Sequence, residues 1–221
     1  MESLSTNSSR NGSDKIARLL SHPLPVSFYS RDTLRVARDL LGKILVVKTK
    51  AGFTAGRIVE TEAYQGNDPA SHSCHGKTPR CEVMFGEAGV AYVYFIYGMY
   101  EMLNFVTEKK GFPGAVLIRA VEPVVGETLM AGRRKTKSRV DLTRGPGRLC
   151  QAMGIRLSHN GKSLRGPFLF VVEDGFRPRN ISASPRVGIR VGVEKLWRFF
   201  ITDHPFVSRA PQNQESAVLP V

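Results

Sequence analysis

The sequence predicts an α/β domain of the α+β type, one compact unit of strands with a few helices. Three observations carry this reading. Strand-like segments dominate the middle of the chain and follow one another across short turns. Only a few segments show helical spacing or a helix entry. No internal repeat and no linker divides the 221 residues, and 42% of them are hydrophobic, enough for one core.

Residues 1–15 open with MESLSTNSSRNGSD, polar and with little to bury, and are expected to be a disordered tail. The folded domain is expected over residues 16–209, with order beginning near Ile16. Arg31 to Leu41 (RDTLRVARDLL) places Leu34, Val36, Ala37, Leu40 and Leu41 at helical spacing, with Ser30 or Asp32 as cap and Gly42 as stop. Lys43 to Lys50 alternates as a strand, Ala51-Gly52 turns, and Phe53 to Tyr64 returns as a longer strand. Gly89 to Tyr97, Glu101 to Thr107 and Ala115 to Ala120 read as further strands. Pro123 to Arg134 is a loop entering a helix, and LCQAMGI after Arg148 is a helix. Pro167 to Glu173, Val187 to Val193 and Arg198 to Thr202 read as the last strands, and residues 210–221 as a frayed tail.

Chemistry concentrates between Gly56 and Asn104. Glu60 and Glu62 lie two apart in one strand and so share a face. They are either the solvated acid face of an edge strand or carboxylates held in a cleft. Tyr64 follows, and AYVYFIYGMY adds tyrosines at 92, 94, 97 and 100. Tyr97 falls where the chain turns before Gly98, which makes it the least core-like of the four. Arg119 sits inside the apolar strand AVLIRA, where an arginine needs a carboxylate or an anionic ligand. Arg144-Gly145-Pro146-Gly147-Arg148 leads into a helix, and the free amides of its first turn beside Arg148 suit an anion.

Two further features bear on function class. The net charge of +13 favours a polyanionic partner, nucleic acid above all, or a small anionic substrate. His72, Cys74, His75 and Cys81 resemble a zinc cluster, but they crowd one loop and lack a paired C-x-x-C. Three cysteines argue for a reducing compartment and an intracellular protein. No apolar run is long enough to span a bilayer, and no secretory signal opens the chain.

The ordered set RIVETEAY, ASH, TPR, YVYFIYGMY with Asn104, LIRAVEP and RGPGRLCQAMGI resembles the alkyladenine (3-methyladenine) DNA glycosylases, also called methylpurine glycosylases. The likeness runs from Phe28 to Arg209. It implies a curved, mainly antiparallel sheet surrounded by helices, with a DNA-inserting β-hairpin. It implies a monofunctional enzyme of base excision repair, a monomer acting on double-stranded DNA without metal or organic cofactor. The implied reaction is hydrolysis of the N-glycosidic bond of 3-methyladenine, 7-methylguanine, hypoxanthine or ethenoadenine. It would take place in a bacterial cytoplasm or nucleoid, or in a nucleus.

Residue roles follow from the same resemblance. Glu62 matches the general base and Arg119 the arginine that helps hold the attacking water. Val187 matches the residue whose carbonyl also holds that water, with Val191 as an alternative register. Tyr64, His72 and Tyr94 match the base-pocket walls, the His72 amide reading the purine edge, and Asn104 matches the residue that restricts guanine. Tyr97 matches the side chain that fills the gap left by the flipped base, with Met99 beside it. Arg144, Gly145 and Arg148 are the expected phosphate contacts because they open a helix, not through the resemblance. Glu60 carries no catalytic role in the resemblance and reads as structural. The rivals are a non-catalytic nucleic-acid binder and a zinc hydrolase built on the 72–81 loop.

Overall fold

The computed structural model describes residues 22–219. The expected tail over residues 1–15 and the expected start of order near Ile16 lie outside that range. The described chain opens with two short helices, α1 (Val26–Tyr29) and α2 (Thr33–Asp39), and continues into β1 (Ile44–Thr49) and β2 (Gly52–Gln65). After a loop with one 3-10 turn come β3 (Ala91–Ile96), β4 (Tyr100–Val106) and β5 (Gly114–Val125), then α3 (Glu127–Arg134) and α4 (Pro146–Met153). Four short strands finish it: β6 (Leu169–Val172), β7 (Ile181–Ser184), β8 (Arg198–Ile201) and β9 (Ala217–Leu219).

These strands form one mainly antiparallel sheet organised on β2. β5 runs along one edge of β2 through Ala55 to Gln65. The other edge is shared, β1 pairing with Gly52 to Arg57 and β8 with Glu60 to Glu62. The order is β3-β4-β5-β2-β8-β7-β9, with β6 added beyond β1. A fourteen-residue strand with three neighbours has no free edge at its acidic stretch. The solvated-edge reading of Glu60 and Glu62 is thereby excluded, and both side chains are fully buried.

The main core lies between the sheet and the helices. Asp32 accepts the Arg35 amide at 2.9 Å and caps α2, and Leu40 and Gly42 close the helix, Gly42 in the left-handed region. Val36, Ala37 and Leu40 of this helix region are fully buried in that core. The Thr61 hydroxyl ties β2 to α2 by donating to the Ala37 carbonyl at 2.9 Å. α4 packs on β4 and β5 through Leu149, Cys150, Ala152 and Met153. A smaller cluster, with Cys81, Met84, Tyr92 and Val106, lies beneath the loop between β2 and β3.

Two expectations near the C-terminus are corrected. Val187 to Val193 is not a strand. Gly188 and Gly192 take left-handed backbone, and the buried Arg186 side chain binds the Gly192 carbonyl, which folds the segment on itself. The seventh strand is instead Ile181–Ser184, whose small polar residues give little strand signal. Nor is the chain after Arg209 frayed throughout: Pro211–Asn213 form a 3-10 turn and Ala217–Leu219 pair with Ile181 to Ala183. The physical reason is the Asn213 side chain, which accepts from buried Arg198 at 2.8 Å. No helix of the described residues is long and apolar enough to cross a membrane.

Candidate active site

The β2–β5 pairing is irregular where the charges lie. Ile58 pairs with Val121, Glu60 with Ala120 and Thr61 with Ile118, so Val59 and Arg119 are each left over between pairs. Such bulges re-aim side chains without ending the ladder. Arg119 is turned onto both acids, its Nε 2.8 Å from Glu60 Oε1 and its Nη1 3.2 Å from Glu62 Oε1. Burial opposes the charge on Arg119, but the carboxylates of Glu62 and Glu60 outweigh it and its pKa is raised.

The two carboxylates have different surroundings. Glu60 also accepts from Arg198 Nε at 2.7 Å and from the Ser208 amide at 2.7 Å. Burial works against its ionisation, yet Arg119, Arg198 and Ser208 hold its carboxyl below the usual range. Of the neighbours of Glu60, only Arg119 reaches the cavity. Glu62 instead accepts the Val187 amide on Oε1 at 2.7 Å and the Tyr64 hydroxyl on Oε2 at 2.8 Å, and it faces a cavity of about 320 Å³.

A cross-strand row makes the floor of that cavity. Tyr92 pairs with Asn104, Asn104 with Leu117, and Leu117 with Glu62, across β3, β4, β5 and β2. All four line the cavity, with Tyr64, His72, Tyr94, Tyr97, Arg119 and Val187 around them. Asn104 is nearly buried and donates its amide to the Tyr92 carbonyl at 3.1 Å. The His72 ring stands edge-on to Tyr94 with centroids 4.6 Å apart, and its Nδ1 shares a 2.8 Å hydrogen bond with the Tyr92 hydroxyl. Burial, then the nearby Arg80, lowers the His72 pKa, which favours a neutral ring. Burial pushes Tyr94 up to about 12 and raises Tyr64 and Tyr92 as well, Glu62 adding to the effect on Tyr64. The aromatic walls therefore stay protonated near neutral pH, and the Tyr64 hydroxyl remains a donor to Glu62.

Antiparallel β3 and β4 meet in a turn at residues 97–99, and Tyr97 lines the cavity. Tyr97 is 79% exposed and Met99 62% exposed, and Tyr97 has φ of 53°, unusual for a residue with a side chain. Tyr100 leans on the first turn of α4, where a Cβ at Gly147 would come within 2.8 Å of its ring. That contact explains the second glycine of RGPGR. Gly145 precedes α4 with φ of 114°, and Pro146 lines the cavity. Arg148 is half exposed and 3.2 Å from Asp141. Arg144 is partly occupied, donating to the Pro205 carbonyl. Arg133 and Arg134, in the last turn of α3, bind carbonyls and side chains within the fold.

The 72–81 loop does not build a metal site. Among the described residues no group of three His, Cys, Asp or Glu side chains converges. His72 is committed to the tyrosines, and the Cys81 thiol is buried against Thr78 and the Gly76 carbonyl. Sequence reasoning missed Arg198, Arg186 and Asp68. The signal that singles out Arg119, an arginine in an apolar strand, is equally present at Arg198 in RFFIT. Arg186 and Asp68 lie in loops and carry no such signal.

Comparison with known proteins identifies the family. Residues 27–205 match the family described as methylpurine-DNA glycosylase. A protein of Methanocella arvoryzae named "Putative 3-methyladenine DNA glycosylase" is 52% identical over 194 residues, covering 85% of this chain and 97% of its own length. Proteins of the same name from Prosthecochloris aestuarii and Salinibacter ruber are 50% and 44% identical over 186 and 200 residues. They cover 83% and 85% of this chain, and 89% and 97% of their own lengths. The match takes in both the strand that carries Glu62 and the strand that carries Arg119, and the chain belongs to the methylpurine-DNA glycosylase family.

Proposed function

We propose that this chain is a monofunctional DNA glycosylase that takes damaged purines out of duplex DNA and hydrolyses their N-glycosidic bond. The observation that carries the reading is Glu62, a fully buried carboxylate on the floor of an aromatic cavity, oriented by Arg119, the Val187 amide and the Tyr64 hydroxyl. Glu62 Oε2, which accepts only the Tyr64 hydroxyl, keeps acceptor capacity for a water. A water held there would lose a proton to Glu62 as it attacks the sugar carbon. Positive charge develops on the sugar as the bond breaks, as in glycoside hydrolysis, and the carboxylate stabilises it. The Val187 carbonyl is proposed as a second holder of the water, adjoining the amide already bound to Glu62.

A base in the stack hides this bond, so the nucleotide must be extruded at a cost of about a few kcal/mol. Tyr97, exposed at the tip of the β3–β4 hairpin with Met99 beside it, is proposed to fill the gap and offset that cost. Tyr64, His72 and Tyr94 supply the walls for the extruded purine, whether 3-methyladenine, 7-methylguanine, hypoxanthine or ethenoadenine. The row from Glu62 to Asn104 spans two strand spacings, about 10 Å, room for a purine and a water. Asn104 is then proposed to meet the purine edge and exclude guanine, while Arg144, Gly145 and Arg148 bind phosphate at the start of α4. No lysine lines the cavity among the described residues, so a Schiff-base intermediate with strand cleavage is not expected.

Incubating the protein as a monomer with a panel of lesion duplexes, then treating with alkali, tests the reading. Nicking should require alkali and occur at the lesion. A protein that binds these duplexes without releasing any base would instead be a non-catalytic binder.

A further inference from the structure

Arg186 is 1% exposed and does not line the cavity, yet it packs against the Tyr64 ring and directly precedes Val187, the two supports of Glu62 other than Arg119. Its guanidinium forms a two-pronged pair with buried Asp68, Nη2 lying 2.9 Å from Oδ1. It also donates to the Ala63 carbonyl at 3.0 Å and the Gly192 carbonyl at 3.4 Å. Its carbon centre lies 4.6 Å from the Tyr64 ring centroid and 5.2 Å from that of Trp197. The next residue in the chain is Val187, whose amide binds Glu62.

The segment that carries Val187 has no regular structure between β7 and β8 and contains two left-handed glycines. Little backbone bonding holds it in place. Asp68 gathers it from both ends, binding Arg186 near its start and Lys195 near its finish at 3.3 Å. Arg186 Nε has no hydrogen-bond partner among the described residues. An unpaired buried donor is unfavourable, and here the guanidinium plane is set by the rings and Asp68 rather than by full satisfaction of its own donors.

Building on the glycosylase reading, we propose that Arg186, paired with Asp68, is a positioning residue that fixes the Val187 amide and the Tyr64 hydroxyl on Glu62 from outside the base pocket. Its effect falls on the chemical step. Arg186 is sealed from solvent and offers no surface to DNA, so loss of the pair disorders the carboxylate's supports and leaves the DNA-contacting surface in place. A small misplacement near reacting atoms is costly, about 10²-fold for 1 Å.

The test uses single-turnover base release and binding affinity on a hypoxanthine duplex. Arg186→Met alone strands Asp68 with only Lys195, so the double variant R186M/D68N, in which neither charge is left uncompensated, accompanies it, and thermal melts identify the folded proteins. Release by a folded variant should fall by about tenfold or more while affinity for the duplex stays within about threefold of wild type, and Arg186→Lys should recover part of the rate. A folded double variant that releases base at the wild-type rate, or whose loss comes wholly from affinity, overturns the proposal. Wild-type protein run alongside keeps the two readings apart: an inactive wild type defeats the glycosylase reading, whereas an active wild type with an unaffected variant defeats only the role of Arg186.

Discussion

Asn104 and Glu62 lie in one cross-strand row, separated by Leu117 alone, and both face the cavity. The acid thus stands at one end of the floor and the amide two strands away from it. A base seated with its sugar over Glu62 would present its far edge to Asn104. Guanine differs from hypoxanthine by an exocyclic amino group, and a site rejects a substrate when binding it leaves buried polar groups unpaired. Asn104→Ser should enlarge the floor at that edge and raise excision of guanine relative to hypoxanthine. Competition between matched duplexes measures the ratio, and an unchanged ratio in an active variant would remove Asn104 from this role.

Glu62→Gln keeps the shape of the side chain and removes its capacity to take a proton. Base release should fall by about 10²-fold or more, with lesion-duplex affinity retained. Near-normal turnover would exclude Glu62 as the base.

Glu60→Gln should act on stability first. Glu60 neutralises Arg119 and Arg198 in the interior, and removing one partner of a buried ion network costs about 3–5 kcal/mol. Its folded pKa is depressed. The stabilisation it gives is therefore complete above the unfolded glutamate value of about 4.3 and is lost as pH falls below it through the folded value. The wild-type melting temperature should drop across that acid window, and the variant should show a shallower drop. Parallel curves would count against the network.

Tyr97 holds a left-handed backbone, which costs a residue with a side chain about 1–3 kcal/mol. Tyr97→Gly relieves that strain and deletes an exposed ring. The melting temperature should not fall, while base release from duplex should. A marked loss of stability would assign the ring to packing rather than to DNA.

Arg148 is half exposed and shares its charge with Asp141. Arg148→Ala should weaken binding to lesion and undamaged duplexes alike and lower the salt-dependence slope by about 1. A loss confined to lesion DNA would contradict a phosphate contact.

Local sequence determined the elements whose signals are local. Alternation in KILVVKTK and the length of FTAGRIVETEAY were enough for β1 and β2, Asp32 for the start of α2, and the Tyr97-Gly98 step for a turn. It also singled out Glu60, Glu62 and Arg119, since acids and an arginine inside apolar strands demand a reason, and Tyr97 at a turn, whereas the roles of Tyr64, His72, Tyr94 and Asn104 came only with the family resemblance. Tertiary structure alone gave the two carboxylates different surroundings. Glu60 and Glu62 are equivalent in strand periodicity, and only the Arg198 side chain and the Ser208 amide on Glu60, and the cavity beside Glu62, distinguish them. The bulge at Arg119, the Arg186–Asp68 pair and the docking of Ala217–Leu219 are likewise invisible in any short window. Each depends on partners more than thirty residues apart, and the desolvation that makes such pairing obligatory exists only once the chain has closed around them.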